Sequence, residues 1–102
     1  MSNITQARRA LVTRILEGEG TTSPPQRRAA FDNAGLAKPL NALINKVALH
    51  ACKVTDEDMA TARAAGLSKD QIFELAVCAA IGQATRQYNT ALAALEAATD
   101  KE

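Results

Sequence analysis

The residues with side chains able to do chemistry are concentrated in the middle of the chain. His50 and Cys52 lie two positions apart, Asp58 ends a run of three acidic residues, and Glu74 lies four residues before Cys78. Histidine and carboxylate side chains transfer protons, and a cysteine thiolate is a nucleophile. His50, Cys52, Asp58 and Glu74 are therefore the candidate catalytic residues, for acid–base or for thiol chemistry.

The spacing of His50 and Cys52 argues against a cysteine–histidine pair. If one helix runs through both residues, their side chains point in different directions. His50 is then expected to be half-buried at the edge of an apolar stripe, and Cys52 to pack as a small apolar residue. One histidine and two separated cysteines do not have the spacing of zinc ligands, so we expect no metal and no cofactor.

Glu74 has two interpretations. It lies in an apolar stretch, on the same helix face as Cys78, and a carboxyl buried there without a partner would have a raised pKa suited to proton transfer. Alternatively, it lies near the start of its helix, where the helix dipole favours a negative charge, and reaches solvent or an arginine. The sequence leaves both interpretations open.

Helical periodicity predicts an all-α fold in which these residues are placed. Serine, threonine or proline precedes most apolar stripes, and glycine follows several of them. The five predicted helices cover about residues 3–17, 24–35, 39–51, 55–66 and 69–98. Ser68 and Gln71 form a predicted capping box for the last helix, whose first half is apolar on nearly every side. We therefore expect a single-domain helical bundle over residues 1–102, with a long, buried, central C-terminal helix.

The composition limits the classes of function. Of the 48 apolar residues, 22 are alanine, so either the helices pack very closely or the protomer completes its core in a homo-oligomer. The net charge of +1 shows no basic excess for nucleic acid, and the doublets Arg8-Arg9 and Arg27-Arg28 are expected on solvated helix surfaces. With no apolar run long enough for a membrane, no secretory signal and no disulfide framework, we expect a cytoplasmic protein.

The stretch DMATARAAGLSKDQIFELAVCAAIGQATRQYNTALAAL, residues 58–95, resembles the carboxymuconolactone decarboxylase and alkylhydroperoxidase-D-like superfamily. A helix that ends in A-R-x-x-G-L-S and a capped, alanine-rich long helix carry the resemblance, which covers about residues 38–95 as a whole. It implies an alkylhydroperoxidase-D-like helical fold and, usually, an obligate homo-oligomer.

The resemblance also implies which chemistry is absent. Counted back from the glycine of G-L-S, the family histidine falls on Asp58, and the two peroxidase cysteines fall on Val54 and Ala51. Cys52 is one position out of register, and the upstream catalytic glutamate falls near residues 38–39, a lysine and a proline. Dithiol peroxidase chemistry is therefore not expected, although a shifted loop could bring His50 or Cys52 into the vacated space.

Three hypotheses follow. The first is a carboxymuconolactone decarboxylase-like homo-oligomer without the peroxidase dithiol, a divergent enzyme that uses His50, Asp58 and Glu74 on a small carbonyl or lactone ligand. The second is a non-catalytic helical module whose oligomer binds or scaffolds. The third is a peroxiredoxin-type thiol antioxidant using Cys52 beside Lys53. The first predicts a closed pocket that joins His50 to a carboxylate; the second predicts that these groups face solvent or pair with arginines.

Overall fold

Five α-helices and one short 3-10 turn make up the fold across residues 2–100, the part of the chain that the computed structural model describes, with side chains described for residues 4–99. No β-strand occurs in that range. The helices are α1 (Ser2–Glu17), α2 (Pro24–Asp32), α3 (Leu40–Leu49), α4 (Asp56–Ala64) and α5 (Lys69–Asp100). The predicted all-α bundle with a long C-terminal helix is confirmed.

Three helices begin at the capping residues that the sequence predicts. The hydroxyl of Ser23 accepts the backbone N–H three residues on, at the start of α2. At α4 the N–H of Asp58 donates to the Thr55 hydroxyl and its carboxylate accepts the Thr55 N–H, and Ser68 and Gln71 exchange the same pair of bonds at α5. Each cap gives a partner to an N–H that the helix itself cannot satisfy.

The third helix ends earlier than its apolar stripe suggests. The last helical residue is Leu49, and His50 has φ −145° and ψ 55°, outside the helical region. The chain then forms the 3-10 turn Ala51–Lys53, which joins α3 to α4. His50 and Cys52 therefore do not share a helix, and both are exposed rather than half-buried or packed.

The core lies where α2 and α3 pack against the first half of α5. Its buried apolar members are Leu16, Ala30, Phe31, Leu40, Leu43, Ile44, Ala62, Ile72, Leu75, Cys78 and Ala79. Because three of them are alanines and one is a cysteine, this core removes much less apolar surface from water than leucines or phenylalanines in the same places would.

The closest approach of α2 to α5 occurs at Gly82. A Cβ atom there would clash with the carbonyl oxygen of Phe31, near the end of α2. One turn further along α5, the Nη1 of Arg86 donates to the same oxygen at 2.6 Å. Carbonyls in the last turn of a helix lack partners within the helix, so Arg86 satisfies one of them while Gly82 leaves room for the contact.

The first half of α5 is not buried on every side as its sequence suggests. Leu75 is fully buried, but Phe73 is 70% exposed and Ala80 is exposed as well. The reason is that the shorter helices cover only part of the circumference of α5. An apolar stretch of helix can therefore keep one uncovered face in the protomer.

Beyond its contact with α2 at Arg86, the second half of α5 runs along the start of α1. The guanidinium of Arg8 lies 3.9 Å from the centre of the Tyr88 ring, and the thiol of Cys78 lies near the carbonyl of Ile15, so the two helices run antiparallel. We call residues 4–12 and 84–99 the α1–α5 arm. It helps to make the molecule 55 Å long. Across residues 2–100, no helix has both the length and the apolar character that would be needed to cross a membrane.

Candidate functional site

Glu74 lies in the second turn of α5 and binds the loop between α1 and α2. Its Oε2 accepts the backbone N–H and the hydroxyl of Thr21 at 2.7 and 2.5 Å. Its Oε1 accepts the backbone N–H and the hydroxyl of Thr22 at 3.0 and 2.8 Å. Each of the two carboxylate oxygens therefore accepts two hydrogen bonds from the loop.

These four hydrogen bonds determine the acidity of Glu74. Burial raises the pKa of the carboxyl, but the hydrogen bonds from Thr21 and Thr22 together outweigh burial and bring the pKa down to about 2. Donors directed at the charged form stabilise that form. The raised pKa that a proton-transfer role requires is thus not present, and the partners are threonines rather than solvent or an arginine.

The loop can approach Glu74 closely because Gly20 has no side chain. A Cβ atom on Gly20 would lie 2.6 Å from Oε1 of Glu74, closer than non-bonded atoms normally come. Gln71, one turn earlier on α5, also donates to the Thr21 carbonyl at 3.4 Å. The G-T-T sequence at residues 20–22 is therefore fastened to the start of α5 by two side chains.

Arg27 on α2 is buried, although the sequence suggests a solvated surface. Only 5% of the residue is exposed, and its Nη1 donates to the carbonyls of Ile15 and Gly18 at 3.2 and 2.7 Å, at the end of α1. Its Nε is buried and has no hydrogen-bond partner among the described residues. The neighbouring Arg28 does lie at the surface, where it pairs with Asp32 at 3.2 Å.

A cavity of about 200 Å³ brings Glu74, Arg27 and Cys78 together. Its remaining lining residues are Arg14, Ile15, Glu19, Phe73 and Val77. Burial raises the pKa of the Cys78 thiol, against the opposing charge of Arg27 and with a smaller addition from Glu74. Since the thiolate is the reactive form of cysteine, Cys78 is a poor nucleophile in this position.

The other candidates lie at the junction of α3 and α4. Asp58 accepts Lys46 Nζ at 2.8 and 3.0 Å, and its hydrogen bonds with Lys46 and Thr55 lower its pKa against the opposing effect of burial. His50 is exposed at the end of α3, and the free thiol of Cys52 is exposed on the 3-10 turn. None of His50, Cys52 and Asp58 lines the cavity beside Glu74.

The sequence therefore identifies one lining residue of this cavity, Glu74, as a candidate. It does not predict that Arg27 is buried and lines the same cavity. The threonines that bind Glu74 precede it by more than 50 residues, so no local pattern could reveal them. Among the described residues, no group of three or more His, Cys, Asp or Glu side chains is arranged to hold a metal ion.

Comparison of the chain with protein-family models, with curated proteins and with solved structures finds no match in any of the three. The resemblance to the carboxymuconolactone decarboxylase superfamily therefore rests on the sequence pattern of residues 58–95 alone. The chemistry of the site has to be argued from its own contacts.

Proposed function

We propose that this chain is a carboxymuconolactone decarboxylase-like helical module that acts as a homo-oligomer, by binding or scaffolding, without acid–base or dithiol catalysis. The pattern of residues 58–95 supports the family, in which homo-oligomers are usual. This proposal combines the second hypothesis, a non-catalytic module, with the helical fold that the family resemblance implies.

One observation carries the choice: the carboxylates that could have moved protons are already engaged as acceptors within the fold. Glu74 accepts four hydrogen bonds and has a pKa of about 2, and Asp58 is held by Lys46 and by a capping box. A general base needs a pKa near the working pH and contact with the substrate. A divergent acid–base enzyme would also need His50 beside a carboxylate, and His50 is not among the residues around Glu74.

The α1–α5 arm supports self-association. Ile4, Leu11 and Leu95 are 53%, 48% and 64% exposed along it, and alanines occupy much of the remaining surface. Residues 84–99 contain only two charged side chains, one arginine and one glutamate. This segment of α5 meets α2 at Arg86 and otherwise only the start of α1 among the described residues, so it obtains little stability from tertiary packing, on which helices in water mainly depend.

A second copy would supply the missing packing. Antiparallel arms from two protomers can pair about a twofold axis and form a four-helix arrangement, in which small alanine side chains let the helices approach closely. Such pairing would bury Leu95 and Leu11, and each buried leucine contributes roughly 1.5–3 kcal/mol. The small core of the protomer is consistent with this need for a partner.

Sedimentation velocity of the wild-type chain at micromolar concentration tests self-association. We expect an oligomer whose dissociation is promoted by Leu95→Glu, because a carboxylate would have to be buried in the interface. The matched control is Leu49→Glu, which introduces the same charge at a leucine that is 50% exposed but lies outside the arm. The control should sediment as the wild type does.

Two results would contradict the proposed function. A compact wild-type monomer that melts cooperatively at micromolar concentration would show that the protomer needs no partner. Turnover of a small lactone or carbonyl compound that disappears in His50→Ala, with the oligomer intact, would show that the chain is an enzyme after all.

A further inference from the structure

Arg27 is a buried cation that has no carboxylate partner in the described part of the chain. The ion pairs there are Arg28–Asp32 and Lys46–Asp58, and neither includes Arg27. Two carbonyl oxygens accept from Nη1, but Nε has no acceptor among residues 4–99. Carbonyl dipoles compensate only in part for removing a guanidinium from water. A bound anion would therefore stabilise this buried charge.

The unused part of Arg27 has a definite shape. The guanidinium is planar, and Nε–H lies on the same edge as one N–H of Nη2, so that edge can donate two parallel hydrogen bonds. Within the described part of the chain, the hydrogen bonds of Arg27 both use Nη1 and leave that edge without an acceptor. A planar carboxylate matches such an edge with its two oxygens.

The cavity that Arg27 lines adds an apolar compartment beside the guanidinium. Ile15, Phe73 and Val77 contribute apolar walls to its volume of about 200 Å³. Pockets for drug-sized ligands are larger, roughly 300–1,000 Å³, so this space matches a ligand with a short hydrocarbon part. The carboxylate of Glu74 also lines the cavity, but its oxygens are already occupied by the threonine loop.

We propose that this cavity binds a small organic monocarboxylate, with its carboxylate on the free edge of Arg27 and its short apolar chain against Ile15 and Val77. Arg14 lines the cavity as well as Arg27, and of its two glutamates, Glu19 and Glu74, the second is already engaged by the threonine loop. Because Nε is closed to water, binding requires Arg27 to turn toward the cavity. Phe73 forms an exposed part of the wall, and 70% of it is open to solvent. This ligand goes beyond the proposed oligomer, and its absence would leave the oligomer unaffected.

A nitrogen-15 NMR titration of the full chain with sodium butyrate tests the site. The Nε–H signal of Arg27 should shift saturably, together with the methyl signals of Val77. The Nε–H signal of Arg28, exposed on the same helix, is the internal control and should not saturate. Butanol supplies the apolar chain without the carboxylate, and inorganic phosphate at equal ionic strength supplies the charge without the chain. Both should cause much smaller shifts.

Each alternative outcome would overturn the assignment. No saturable shift of Arg27 with butyrate means that the cavity holds only water. An equal response to phosphate indicates an adventitious anion only, and an equal response to butanol indicates a purely apolar pocket.

A variant that fills the cavity gives a second test. Val77→Phe extends the apolar wall into the space for the ligand and should weaken butyrate binding by about tenfold or more. The matched control, Ala80→Val, enlarges an exposed residue of the same helix and should bind as the wild type does. If Val77→Phe does not fold, Val77→Leu replaces it, because it extends the same wall into the ligand space by one methylene group at a smaller cost in packing. Unchanged affinity in the cavity variant that folds would refute the site.

Discussion

The substitution Glu74→Gln separates a structural carboxylate from a catalytic one. If Glu74 were a buried proton-transfer group, its removal would leave the fold intact or stabilise it. The four hydrogen bonds with Thr21 and Thr22 predict the opposite. A glutamine has one oxygen and one NH2 group, so the NH2 would face two donors of the loop, and one backbone N–H would lose its acceptor.

The size of the effect follows from the pKa. A carboxyl whose pKa falls from 4.5 to about 2 on folding contributes at most about 3 kcal/mol at neutral pH. Glu74 is only partly buried, so solvent screening reduces this to about 1–2 kcal/mol. The unpaired N–H in the variant adds about 1 kcal/mol. We expect a total loss of about 2–3 kcal/mol and a fall in Tm of about 15 °C for a chain of this length.

The pH dependence provides a second signature. Since the folded pKa lies below the unfolded value of 4.5, the contribution of Glu74 is complete above pH 4.5 and is lost as the pH falls toward about 2. The difference in unfolding free energy between wild type and Glu74→Gln should therefore shrink across that window.

Urea unfolding at several pH values measures the difference, with Glu96→Gln as the control, because Glu96 is an exposed glutamate on the same helix. A loss at neutral pH within about 0.5 kcal/mol of the control would refute the reasoning, since surface substitutions normally lie in that range. A Glu74 side-chain carboxyl carbon that titrates near 4.5 would refute it independently.

Three further outcomes are expected. Gly82→Ala should destabilise the fold by about 2 kcal/mol in urea unfolding, because overpacking against the Phe31 carbonyl exceeds the gain in helix propensity. Asp58→Asn should lower Tm at neutral pH. Because folding lowers the pKa of Asp58 from 3.8, the difference in Tm from the wild type should begin to shrink as the pH falls below 3.8. A disulfide reagent should modify exposed Cys52 quickly and buried Cys78 only on unfolding, and a hydroperoxide with a dithiol should oxidise Cys52 stoichiometrically without turnover.

The local features of the fold could be predicted from the sequence because their causes are local. A serine or threonine followed three residues later by an acceptor side chain stabilises a helix start wherever it occurs, so the caps at Ser23, Thr55 and Ser68 appear as expected. The end of α3 is different. Its apolar stripe continues to Ala51, but Lys46 pairs with Asp58 at the start of α4, and the chain turns between them at His50.

The contacts of the candidate site could not be predicted, because they depend on which segments meet in three dimensions. Glu74 finds its donors 52 and 53 residues earlier in the chain. Arg27 and Arg28 are neighbours with the same side chain, yet one is buried against the end of α1 and the other is exposed. Arg27 shares one helix face with Ala30 and Phe31, the other buried residues of α2, but only the packing of α2 against α1 and α5 decides that this face turns inward with its charge.

A continuous series of contacts links the carboxylate of Glu74 to Arg27 in the cavity. This series explains how Glu74 can shape the cavity without being catalytic. Glu74 fixes Thr21 and Thr22 on the start of α5, and Thr22 is followed directly by Ser23, the cap of α2. Since α2 is a short helix, the position of its cap determines where Arg27, in its first turns, meets the end of α1. The lowered pKa of Glu74 keeps its carboxylate ionised throughout the neutral range, so its hydrogen bonds to the loop persist there. Glu74 therefore acts as a positioning residue, through the loop and α2, on Arg27, which lines the space where a ligand would bind.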